Sequence, residues 1–175
     1  MTVSAASLKL YYSGGATNSD PSLSLGGAMS NVPLSVTALN NLFDDVTGDE
    51  ASAGHTEYRC LYFANIDTDV DGLIDPVAWI SAQPNVGGTP TGETIEFGLD
   101  LAGKNAVADT IADTVTAPSP AVTFDDPATK GAGTALPDGP YVEDDYIGIW
   151  FKRVTPSSQP ISAGTTFTFD IEGES

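Results

Sequence analysis

Short apolar alternations separated by clusters of Gly, Pro, Ser, Asp and Asn run the length of this 175-residue chain, the signature of antiparallel β structure. Leu8, Leu10 and Tyr12 share one face of a first predicted strand that stops at Gly14 and Gly15. Leu23 and Leu25 alternate with serines, and residues 28–46 read as an irregular excursion anchored in the core by Leu39, Leu42 and Phe43. Thr47 and Glu50 have capping-box spacing and Gly54 supplies a stop, which predicts one short helix. Glu57 to Asn65 is the strongest strand, with Tyr58, Cys60 and Tyr62 on one face and Arg59, Leu61 and Phe63 on the other. Being apolar on both faces near its middle, it predicts a central position, and Tyr146 to Val154 predicts a second central strand. Shorter strands are expected at Val77–Ile80, Ile95–Leu99 and Val122–Phe124. Residues 84–92 and most of 100–119 read as loop, and 125–145 as a long exposed connection. Thr165 to Glu172 alternates Phe167, Phe169 and Ile171 with polar residues, the pattern of a strand with one wet face.

About eight or nine strands with at most one or two short helices predict an all-β fold, an antiparallel two-sheet β-sandwich with long loops. Jelly-roll and immunoglobulin-like orders both fit the periodicity. A chain of this length buries roughly 70% of its unfolded surface in one core. A single domain is therefore expected: a sandwich over residues 31–175, preceded by an extended segment with the first strands, 1–30, that is available for partner contacts.

Charge narrows the partners. Six Lys and Arg face 24 Asp and Glu, a formal net charge of −18. Phosphate binding needs cations to replace condensed counterions, so direct nucleic-acid binding is not expected, and anionic membranes are repelled for the same reason. No apolar run approaches the roughly 20 residues that span a bilayer. The N-terminus lacks a basic region followed by an apolar stretch, which predicts synthesis in a cytoplasm without a secretory signal. The one cysteine, Cys60, lies in an apolar run and reads as a buried, inert thiol.

Candidate chemistry is sparse. Asp67, Asp69 and Asp71 alternate ahead of Gly72, with Asp75 following, and match the start of a calcium loop in which the glycine allows carboxylates to converge on a hard cation. The match then breaks: the twelfth position is Ala78 and Pro76 stands where an exiting helix should begin. A polar turn accounts for the same residues. Apart from this Ca²⁺ candidate, no cofactor is expected. His55 is the only histidine and no Gly-x-Ser-x-Gly elbow accompanies it. The pairs Asp44–Asp45, Asp125–Asp126 and Asp144–Asp145 are adjacent in sequence, so on extended backbone their side chains diverge rather than forming a glycosidase pair. No catalytic residue is assigned, and the chain reads as something other than an enzyme. If the two central strands are antiparallel neighbours, Arg59 and either Lys152 or Arg153 meet in a salt-bridge cluster.

Ordered blocks along the chain carry a resemblance. They are Asn41–Glu50, Gly54–Asn65, Val77–Ile80, Glu96–Asp100, Thr110–Asp113 with Thr116–Pro118, Val122–Phe124, Ile149–Arg153 and Phe167–Gly173. Over residues 40–173 they resemble a family of virion structural proteins from tailed bacteriophages. The resemblance implies a particle component in the virion, made in the host bacterial cytoplasm, with no catalytic signature to transfer. An acidic, β-rich, cysteine-poor domain fits a decoration protein on the outer capsid surface that stabilises the shell, because it neither traps the genome nor clumps particles. The expected partners are the major capsid protein or neighbouring virion proteins, with the chain a homo-oligomer, preferably a trimer. The alternative is a tail, baseplate or head-fibre component that contacts host surface glycans.

Overall fold

A computed structural model describes residues 3–68, 71–160 and 163–174. The chain forms two four-stranded antiparallel sheets and one short α-helix, an arrangement consistent with the expected β-sandwich. The strands are β1 (Leu8–Tyr12), β2 (His55–Asn65), β3 (Ile74–Val86), β4 (Thr89–Pro90), β5 (Thr94–Lys104), β6 (Thr134–Ala135), β7 (Tyr146–Thr155) and β8 (Thr166–Glu174). The helix α1 is Gly48–Ala53. The larger sheet has the order β1-β2-β7-β5. In the facing sheet β3 is central, with β8 along one side and the short β4 and β6 along the other.

The two central strands pair in continuous register from His55 opposite Thr155 to Ala64 opposite Tyr146. Both faces of this sheet are covered, which explains apolar runs where a half-exposed strand would alternate. The inner face, with Leu61, Phe63, Ile95, Phe97, Ile147, Ile149 and Phe151, packs on Ala78 and Ile80 of β3 and on the half-buried Phe167, Phe169 and Ile171 of β8. Phe169 meets Phe97 and Phe151 edge to face at 5.0 and 4.9 Å between ring centres, a geometry worth about 0.5–1.5 kcal/mol per pair beyond the buried area.

The outer face carries Cys60, Tyr62 and Trp150 under two loops. Tyr62 pins both: its hydroxyl donates to Gly27 O at 2.6 Å and accepts from Ala108 N at 2.7 Å. Gly26 lies in this contact with φ +89°, and a Cβ there would overlap the Asp109 carbonyl oxygen. The indole N–H of Trp150 donates to buried Asp100 at 2.8 Å. The helix begins as its spacing predicts, with Glu50 N donating to Thr47 Oγ1 and Glu50 Oε2 accepting from Thr47 N.

Four expectations are corrected. Leu39 is 80% exposed, whereas Leu42 and Phe43 are buried, so the excursion anchors at its C-terminal end only. Residues 84–92 are not loop throughout, since β3 runs on to Val86 and pairs there with β4; Leu23 sits in a 3₁₀ turn at Pro21–Leu23, favoured by Pro21 in its first turn and the Asp20 cap. Residues 122–124 form no strand; Val122 and Phe124 instead cover the outer face, with Phe124 5.7 Å from Tyr58. Residues 125–145 are not wholly exposed, since Leu136 and Tyr141 fill the inner core and Tyr141 exchanges backbone hydrogen bonds with Leu73.

Candidate functional site

The edges of the two sheets differ in how they are finished. The outer edge of β1 is capped by residues 30–34, with Leu34 N donating to Leu10 O and Tyr12 N to Val32 O. On β5, Phe97 and Asp125 exchange both backbone hydrogen bonds, at 2.9 and 3.0 Å. The far side of β3 carries β4 and β6. Among the described residues β8 pairs only with β3, so its other edge is left without a strand.

Beside that edge the sandwich opens into a cavity of about 330 Å³. One wall is residues 164–169, leading into and along β8, and the opposite wall is the loop 34–43. Leu10, Leu61 and Phe151 form the floor. The ring contacts of Phe167 and Phe169 place β8 over β7, so the space lies over β2 and β1, where a further strand of the facing sheet would run. Tyr12 steadies the loop by donating its hydroxyl to Asn41 O at 2.9 Å. Val36 and Leu39 nevertheless project into solvent, 86% and 80% exposed, at the rim.

Arg153 makes one part of the cavity wall polar and belongs to a buried charged group behind it. Glu57, Arg59 and Arg153 are each 3% exposed, and Glu57 bridges the two guanidiniums: Arg59 Nη2 lies 2.8 Å from Glu57 Oε2, and Arg153 Nη2 contacts Glu57 Oε1. Arg153 also donates to Asp44 O. Both guanidiniums lie over the Phe43 ring, at 5.5 and 5.0 Å. The predicted meeting of Arg59 with the end of β7 is therefore real, and it runs through Glu57, a residue the sequence reading passed over. No pattern around residue 57 signals this role, since Glu57 and Arg153 become opposite neighbours only through the register of β2 and β7. Buried Glu93 lines the same cavity.

The calcium candidates fall on the crossing from β2 to β3. Asp67 Oδ2 accepts from Ser4 N at 2.8 Å, Asp71 is exposed, and Asp75 is exposed within β3 at φ 44°. Asp69 lies outside the described residues. Among the described residues no three His, Cys, Asp or Glu side chains gather as a metal ion requires. Gly72, with φ +68°, has a structural use of its own: a Cβ there would come within 2.6 Å of Tyr141 O.

The other candidates disperse. His55 Nε2 is 3.5 Å from Glu50 Oε1 at the helix end. Burial pushes the Cys60 thiol well above its ordinary range. The Asp145 carboxyl is raised by burial but held low on balance by Asn105 Nδ2 at 2.6 Å, Lys104 Nζ at 2.8 Å and Val142 N at 2.8 Å. No helix of the described residues is long and apolar enough to cross a membrane.

Compared with protein-family models, with curated proteins and with solved structures, the chain matches none of them.

Proposed function

We propose that the chain is a structural component of a tailed bacteriophage particle, a decoration protein that seats on the outer capsid surface and stabilises the shell. The observation that carries this reading is how the few cations are used. Arg59, Lys104, Lys130, Lys152 and Arg153 all close on the chain's own carboxylates, which leaves Lys9 as the sixth. The field outside the protein is then set by unpaired carboxylates and is strongly negative. Such a surface repels packaged DNA and other particles alike, a useful property on the outside of a shell.

The resemblance supports the same reading in a specific way. Its blocks at Gly54–Asn65 and Ile149–Arg153 lie on β2 and β7, hydrogen-bonded to each other, and the block at Phe167–Gly173 lies on β8 against them. They describe a shared core, while the loops between them provide the contact surfaces.

Copy number tests the proposal. Quantitative mass spectrometry of purified particles should find the chain in numbers comparable with the major capsid protein, and native mass spectrometry should find an oligomer, preferably a trimer. Only a few copies per particle would sink the decoration reading and favour the tail or head-fibre one.

A further inference from the structure

We infer that the open edge of β8 and the cavity beside it receive an extended segment of a different protein, which adds as a strand and carries apolar residues inward and basic residues outward. This inference stands apart from the particle reading and is tested on the isolated chain.

Three observations converge on the mode of binding. Three sheet edges are covered by the chain's own residues, and the edge of β8 is the exception among the described residues. An edge strand's free N–H and C=O groups are a template for a further strand. The cavity lies where that strand would run, with Leu10, Leu61 and Phe151 as an apolar floor. Six residues of wall, 164–169, correspond to roughly 20 Å of extended chain, and alternate residues of such a segment would place about three side chains inward. Val36 and Leu39, exposed at the rim, are positioned to close over them.

Charge selects the occupant. The solvent face of β8 presents Thr166 and Thr168 beside the cavity and, just beyond it, Asp170, which accepts from Ser81, and Glu172, which pairs with Lys130, while Asp44 and Asp45 lie at one end of the groove. Directly opposed cross-strand pairs favour opposite charge and penalise like charge. A second copy seated on this edge would bring together two molecules that each carry −18. Lysine or arginine at the outward positions of a foreign segment removes that penalty.

The test uses a synthetic peptide, acetyl-Thr-Val-Lys-Ile-Lys-Val-Thr-amide, and two forms of it, one N-methylated at odd residues and one at even residues. In a strand, alternate residues present their amides to opposite edges, and only one edge meets β8. By calorimetry with the full chain, one methylated form should lose at least about tenfold in affinity and the other stay within about threefold of the parent. A Val36→Ser/Leu39→Ser variant, altered only at exposed positions, should weaken the parent peptide about tenfold. Amide exchange should slow along residues 166–169 when the peptide is bound. The inference is overturned if all three peptides bind alike, if both methylated forms lose equally, if the parent does not bind at millimolar concentration, or if ultracentrifugation shows a second copy seated on β8.

Discussion

Glu57 on β2 and Arg153 on β7 stand directly opposite each other in the register of the two central strands and form an ion pair with both side chains about 97% buried. Arg59 completes the group at 2.8 Å. Removing the shared anion would leave two cations in a desolvated site. Glu57→Ala should therefore cost about 3–5 kcal/mol, the range for breaking a buried ion pair. The solvent-exposed pair of Lys130 and Glu172 is the control, and Lys130→Ala should cost less than about 1 kcal/mol. Urea unfolding of the two variants measures the contrast; equal losses would mean that the buried group is not a structural keystone.

Asp145 predicts a pH dependence. Its folded pKa lies below the ordinary value because the bonds from Asn105, Lys104 and Val142 outweigh its burial. A depressed carboxyl stabilises the fold in full above the unfolded pKa, about 4, and the contribution is lost as pH falls through the lower folded value. Asp145→Asn should cost about 2 kcal/mol at neutral pH, the scale of hydrogen bonds to a charged group. The gap between variant and parent should narrow in unfolding curves taken at successively more acidic pH below the ordinary Asp range.

Tyr62 predicts local loosening. Its hydroxyl serves Gly27 O and Ala108 N together, and Tyr62→Phe leaves both without that partner. The expected cost is about 1–3 kcal/mol. Amide exchange should accelerate at Ala108 more than at Ile149, which lies in the central strand.

Cys60 predicts silence. The thiol is fully buried and burial pushes its pKa up, so little thiolate exists and no reagent reaches it. Ellman's reagent should report no free thiol in the native chain and one per chain in denaturant. Rapid native labelling would contradict the packing of the outer face.

What the sequence determined by itself was local and periodic. The apolar runs Glu57–Asn65 and Tyr146–Val154 identified both central strands, and the faces of the first followed because side chains on a strand alternate whatever the strand pairs with. The spacing of Thr47 and Glu50 located the helix start, since a cap needs only neighbours in the chain. The same local reading misplaced Leu39, whose apolarity says nothing about whether a loop turns it inward.

The tertiary structure decided the rest, which depends on contacts between residues far apart in sequence. Register made Glu57 the bridge between Arg59 and Arg153, a role that no pattern around residue 57 contains. The use of residues 30–34 and 125 to cap β1 and β5, while β8 keeps a free edge, follows from where the chain returns. The clean alternation of Thr166–Glu172 signalled one wet face, yet a strand's period is the same at an edge as at the centre. Only the packing of β8 over β7, with no described strand over β2 and β1, turned that edge into a groove.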